Sequence, residues 1–204
     1  MKKLLFFCFL PLLAEAQVSN QNVNIEPKGN WYFGAELGLN SIPSFANNGT
    51  KNSFQGGLMA EYYFAKQWSA SGRIKYFKTG VSFVEDEANG IFDGAVVSVP
   101  VDLKWEFTIH KNLKGNLKLG AAYNHEIKSD YRFPDGKETD FSKSFFSMNS
   151  GAGLSYFVSP KMAFYIDMEM YRLGGYKGNT GGIIGYNYYT DNNHFNLGVK
   201  YNFN

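Results

Sequence analysis

One cysteine, six prolines and no apolar run long enough to cross a bilayer as a helix define this 204-residue sequence by what it has little of. The lone cysteine, Cys8, lies inside the N-terminal apolar run, so the rest of the chain has no disulfide framework and no thiol chemistry. It follows Phe6-Phe7 rather than small residues, which argues against a lipoprotein cysteine. A formal net charge of only +2 gives no electrostatic footprint for nucleic acid. Mean hydropathy of −0.30 excludes a helical membrane protein, and after Leu13 no long apolar stretch occurs. If such a chain crosses lipid, it must do so as a closed β-barrel, because an open sheet leaves backbone groups unpaired in hydrocarbon. The length suits one domain rather than two.

What is present points the same way. Aromatics make up 18% of residues, with 22 glycines, a composition that suits many strands joined by flexible turns. The start, MKKLLFFCFLPLLAEAQ, has basic Lys2 and Lys3, an apolar run from Leu4 to Leu13, and an A-x-A site at Ala14-Glu15-Ala16. This is the pattern of a secretory signal peptide. The expected organisation is a signal peptide over 1–16, a polar periplasmic leader over 17–29, and a barrel over 30–204.

Period-two alternation predicts eight strands, at about 30–40, 54–64, 68–79, 94–107, 115–128, 145–157, 162–172 and 194–203. In the first, Trp31, Phe33, Ala35, Leu37 and Leu39 alternate with Gly34, Glu36, Gly38 and Asn40. In the fourth, Val97, Val99, Val101, Leu103, Trp105 and Phe107 alternate with Ser98, Pro100, Asp102, Lys104 and Glu106. The connections alternate in length: long at about 41–53, 80–93, 129–144 and 173–193, short at 65–67, 108–114 and 158–161. Long loops at one rim and short turns at the other characterise outer-membrane barrels, and an even strand count puts both ends in the periplasm. The predicted fold is therefore an all-β, eight-stranded antiparallel up-and-down transmembrane β-barrel. Trp31, Trp68 and Trp105, joined by Tyr156, Tyr201 and Phe203, fall near the periplasmic strand ends, where an aromatic girdle belongs.

Alternation alone leaves open which face looks inward. A lipocalin-like carrier would be apolar inside, and Gly29-Asn30-Trp31 and Thr139-Asp140-Phe141 faintly fit lipocalin elements. Against it, the T-D-F string lies in a long charged loop, no trailing helix follows the last strand, and the polar face is rich in Gly and Ser. With the polar face inside, Glu36, Glu61, Asp102, Glu106, Asp167 and Glu169 would meet Arg73, Lys75, Lys104, Lys118 and Lys200. Charges out of water must be paired, and eight strands leave barely enough room for their own side chains. The expectation is a salt-bridged lumen, not an open pore.

SVPVDLKWEF, Ser98 to Phe107, resembles a characteristic strand of the outer membrane β-barrel domain common in Bacteroidota, PorT-like proteins included. The ending NLGVKYNFN resembles that family's closing strand and the C-terminal signal of outer-membrane barrels, with one residue, Asn204, beyond the last aromatic. The resemblance implies location in the outer membrane of a Gram-negative bacterium, contact with its lipids and lipopolysaccharide, and insertion by the barrel assembly machinery through the last strand. It implies no activity, since a fold does not fix a function.

A search for chemistry finds little. His110 sits in a short turn, and His125 and His194, read as interfacial or loop residues, lack a Ser two residues on. Asp130, Asp135, Glu138 and Asp140, and separately Glu85, Asp86 and Glu87, lack calcium-loop spacing and read as solvated loops. No catalytic, cofactor or metal site is assigned. Tyr176, Tyr186, Tyr188 and Tyr189, in the seventh connection, would offer a contact surface for an extracellular protein or glycan. The leading reading is a non-enzymatic barrel with a structural or surface-interaction role. The alternatives are a lipid A-modifying barrel enzyme, a small pore and a secreted carrier.

Overall fold

Side chains that alternate between bulky apolar and small or polar types suit a strand with a different medium on each face, and eight such strands form here. The structure, a computed structural model, describes residues 25–43, 50–85, 88–132, 143–173 and 192–203. The strands are β1 (Trp31–Pro43), β2 (Thr50–Tyr63), β3 (Trp68–Glu85), β4 (Ala88–His110), β5 (Leu113–Arg132), β6 (Ser144–Phe157), β7 (Met162–Leu173) and β8 (Asn192–Tyr201). Each pairs antiparallel with its sequence neighbours, and β1 pairs with β8 from Phe33↔Tyr201 to Ser41↔Asn193, closing the barrel. Closure leaves no sheet edge for lipid to meet.

The two faces divide sharply. Leu37 is 74% exposed and its neighbour Glu36 only 2%. Leu58, Ile74, Val101, Leu119, Met148, Met168 and Leu197 face out all round the cylinder, while Glu61, Lys75, Asp102, Asn149, Glu169 and Lys200 are buried inside. An apolar exterior around a polar interior is the reverse of a lipocalin, so the carrier alternative is overturned.

The strand ends differ from expectation on the outer side. The third connection, expected as a loop over 80–93, is a continuation of the ladder, with Gly80↔Asp93 through Glu85↔Ala88 paired. β5 likewise runs on to Arg132. Alternation of apolar and polar residues stops where the bilayer stops, because beyond it both faces meet water; backbone pairing has no such limit. The fourth connection is shorter than the expected 108–114: only Lys111 and Asn112 separate β4 from β5, with Lys111 at φ 37° in the turn. β8 begins two residues before the expected 194.

Three irregularities interrupt the wall, one of them a register shift between Thr108 and His110 beside the β4–β5 turn. The β3–β4 ladder omits the pairs that would join Arg73 and Ile74 to Pro100 and Val99, since Pro100 has no N–H to donate. A β-bulge shifts the β4–β5 register between Ala95 and Val96, from Val96↔Glu126 to Ala95↔Lys128.

At the short-turn end, Tyr32, Tyr63, Phe157 and Ala163 form a buried cluster, and Ile25 packs against it. The chain before β1 is held there by backbone bonds: the Gly29 N–H donates to the Tyr63 carbonyl at 2.6 Å and the Tyr63 N–H to the Asn30 carbonyl at 3.1 Å.

Candidate functional site

The lumen concentrates the protein's buried charge. Inward phase on every strand puts seven carboxylates, including Glu126, and six cations inside. Eleven of them are the residues named from the sequence; Lys114 and Glu126 were not. Strand parity alone places both, since Lys114 is in phase with Lys118, and Glu126 with Asn124.

These side chains gather in two tiers. In the outer tier Arg73 bridges Asp102 and Glu169 and lies 3.8 Å from Glu36. Lys75 reaches Glu36 at 2.8 Å and Glu169 at 2.9 Å, and Lys118 joins Asp167 at 2.6 Å and also Glu169. Asn149 donates to Asp102, Asn116 to Asp167, and the Tyr165 hydroxyl to Glu36 at 3.0 Å. In the inner tier Lys200 lies 2.8 Å from Glu61 and 3.5 Å from Glu106. Lys104 bridges Glu61 and lies 3.1 Å from Glu106, with Lys114 at 4.0 Å from Glu106. Each tier mixes both signs, which is what makes burial of so many charges tolerable. Between them lies a cavity of about 10 Å³, lined by Glu36, Glu61, Arg73, Lys104, Tyr165 and Lys200 among others. That is the space of about one water molecule.

Aromatic layers lie beyond both tiers, and reasoning from the sequence missed them. Below, the Lys200 ammonium stands 5.4, 5.1 and 5.3 Å from the rings of Tyr32, Tyr63 and Phe157, within cation–π range. The Tyr63 hydroxyl donates to Glu106 at 2.7 Å, and Tyr32 donates to the Pro160 carbonyl at 2.8 Å. Above, His194 is 1% exposed and stacks on Tyr171 at 4.5 Å, with Phe77 edge-on at 4.7 Å. The expectation that His194 is a loop or interfacial residue is thus corrected: it lies one residue before outward Phe195 and so points inward. Asn40, Thr79 and Asn192 hydrogen-bond beside it.

The other histidine of interest faces away from the lumen. His125 Nδ1 lies 2.9 Å from the Ser144 hydroxyl, which also accepts from Tyr123 at 3.0 Å, and Glu126 points to the opposite face. The barrel brings a serine to His125 across strands, which the local sequence did not reveal. Among the described residues no cluster of His, Asp or Glu is placed to hold a metal ion.

Trp31, Trp68, Tyr156, Tyr201 and Phe203 are exposed on the outer face toward the short-turn end, and Trp105, half-buried, pairs with Trp68 across β3 and β4. Trp31 packs against Tyr62 at 4.9 Å, and Phe203 against Tyr201 at 5.0 Å. Tyr176, Tyr186, Tyr188 and Tyr189 lie outside the described residues, as do Asp86, Glu87, Asp135, Glu138 and Asp140.

Comparison with solved structures gives similar barrels. Neisserial surface protein A is 16% identical, with 85% of this chain and 97% of that one covered at a TM-score of 0.59. Ail, the attachment invasion locus protein of Yersinia pestis, is 18% identical, covering 86% and 99%, at 0.54. The outer membrane protein OprG of Pseudomonas aeruginosa is 14% identical, covering 88% and 99%, at 0.54. At such identities the likeness concerns the fold. No curated protein matches the sequence. Residues 6–203 match the family model for the outer membrane protein beta-barrel domain.

Proposed function

The chain belongs to the outer membrane protein beta-barrel domain family and resides in the outer membrane of a Gram-negative cell, and we propose that it is a closed, non-enzymatic barrel that carries surface loops into the extracellular space. The observation that carries this reading is the filled lumen: two tiers of paired charge lie between the Tyr32–Tyr63–Phe157 floor and the Phe77–Tyr171–His194 layer. A proton or ion entering would have to break several charge-assisted hydrogen bonds at once.

On this reading residues 1–16 direct export and are removed, the girdle residues anchor the periplasmic interface, and the last strand is recognised by the assembly machinery. The 174–191 connection, with its four tyrosines, is the natural place for an extracellular protein or glycan to dock. Ail has been solved in complex with the heparin analogue sucrose octasulfate, and surface recognition of that general kind is the role favoured for this barrel. The strand SVPVDLKWEF supports a PorT-like member from Bacteroidota, for which an accessory role in secretion is the second form of the same reading.

Planar-bilayer recording tests closure. The intact barrel should give no discrete conductance steps, whereas Tyr32→Ala combined with Tyr63→Ala and Phe157→Ala should give measurable current. Steady single-channel steps from the unaltered protein would make the pore reading the better one.

A further inference from the structure

The bulge in β5 turns a set of charges outward above the apolar wall. Below it, Tyr123 and His125 face out while Asn124 and Glu126 are buried. Ile127 is the extra residue, and above it the phase reverses: the side chains of Lys128 and Arg132 are 65% and 61% exposed. Without the shift both would continue the inward phase of Glu126. Because register is held across the sheet, Lys78, Ala95 and Lys128 form one row, and Ser82, Ile91 and Arg132 another. Lys51 reaches into the group from β2, 2.8 Å from Asp93, and Lys128 lies 3.8 Å from the same carboxylate. The strip holds Lys51, Lys78, Lys128 and Arg132 against Asp93 and Asp130, a net excess of positive charge on one wall.

Its depth is fixed by what lies below. The outward face is continuously apolar on β3 and β4 up to Tyr76 and Val97, in the row of His125; above them Lys78 and Lys128 flank Ala95, and Asp93 separates Ala95 from Ile91. Lys78 stands two residues further on, roughly 7 Å along the strand. The headgroup layer on each side of a bilayer is about 5–8 Å deep. Lys78 and Lys128 thus stand at headgroup level on the lipid-facing wall, with Arg132, four residues and about 13 Å further along β5, above them.

We propose that this strip binds the phosphate groups of the outer leaflet's phosphorylated glycolipid, with the β5 bulge as the device that aims Lys128 and Arg132 at them. Cationic side chains fixed at that depth match anionic headgroups whose acyl tails lie against the apolar wall below. The assignment rests on the outward face being lipid-facing, as in the function proposed above.

The test uses the full mature barrel folded in micelles, with native mass spectrometry counting bound lipid. The probes are diphosphoryl lipid A, the same lipid after enzymatic dephosphorylation, and inorganic phosphate. Lys78→Gln, and Lys128→Gln with Arg132→Gln, are compared with Lys111→Gln plus Lys161→Gln at the opposite rim. Each charge removed from the strip should weaken diphosphoryl lipid A binding about fivefold, while the opposite-rim control and the dephosphorylated lipid show no such change. Equal retention by all variants, no preference for the phosphorylated lipid, or inorganic phosphate competing at concentrations comparable to the lipid would overturn the proposal. Folding is read from heat-modifiable gel migration. A barrel that never inserts fails the general reading; one that inserts without phosphate preference fails only this assignment.

Discussion

The ring of Tyr165 lies across Gly198 on the adjacent strand, so close that a β-carbon added at Gly198 would stand 2.2 Å from its Cζ. The hydroxyl of the same ring donates to Glu36 at 3.0 Å, which pins the tyrosine between β8 and the outer charge tier. Gly198→Ala must therefore displace a ring that cannot swing freely. Overpacking of this kind costs about 1–3 kcal/mol, to be read as a lowered denaturation midpoint in urea with the barrel in detergent micelles. Tyr165→Phe with Gly198→Ala frees the ring from Glu36 and should show a smaller penalty for the alanine.

Arg73 is the hub of the outer tier, touching Asp102, Glu169 and Glu36. Arg73→Met keeps much of its volume but leaves those carboxylates short of a partner. Breaking a buried ion pair from one side costs about 3–5 kcal/mol, so this variant should unfold at clearly lower denaturant than Lys111→Gln in the exposed turn. Equal midpoints would show that the tier contributes nothing to stability.

Asp93 stands above the apolar belt, and the hydrogen bond from Lys51 holds its carboxyl below the usual aspartate value. A depressed value means the contact contributes fully above the unfolded aspartate's pKa and fades as pH falls through the lowered one. Lys51→Ala should move the Asp93 titration midpoint upward, as measured by carboxyl NMR. Because both side chains remain partly exposed to water, at 43% and 38%, the effect on overall stability should be small.

Trp68 and Trp105 form a cross-strand pair on the lipid-facing wall near the short turns. Their fluorescence should be quenched more by lipids brominated near the headgroup than by lipids brominated near the chain ends. Deep quenching would remove them from the girdle.

The number and order of strands were legible because lipid on one side and packed polar groups on the other impose a strict period of two. The tops of β3, β4 and β5 were not, since alternation ends with the bilayer while pairing continues to Glu85, Ala88 and Arg132. The division of charges into two tiers depends on which strands face across the lumen, and no local pattern carries that. His194, Tyr32 and Tyr63 were within reach: each sits one position from an outward aromatic, Phe195, Trp31 or Tyr62, and parity turns it inward. Aromatic residues on a polar face, however, give no local contrast that would single them out. The meeting of His125 with Ser144 likewise required the β5–β6 register.

The account depends on adjacent residues of one strand meeting different media, and since cleavage after Ala16, as proposed, leaves no cysteine in the chain, introduced cysteines make this directly measurable. Ser98→Cys and Val99→Cys place a spin label at neighbouring positions of β4, Ser98 buried and Val99 41% exposed. In liposomes the label at 99 should be relaxed strongly by oxygen dissolved in lipid and hardly at all by a water-soluble nickel chelate, while a label at 98 should respond weakly to both. Strong nickel relaxation at 99, or lipid-phase oxygen relaxation at 98 matching that at 99, would contradict it.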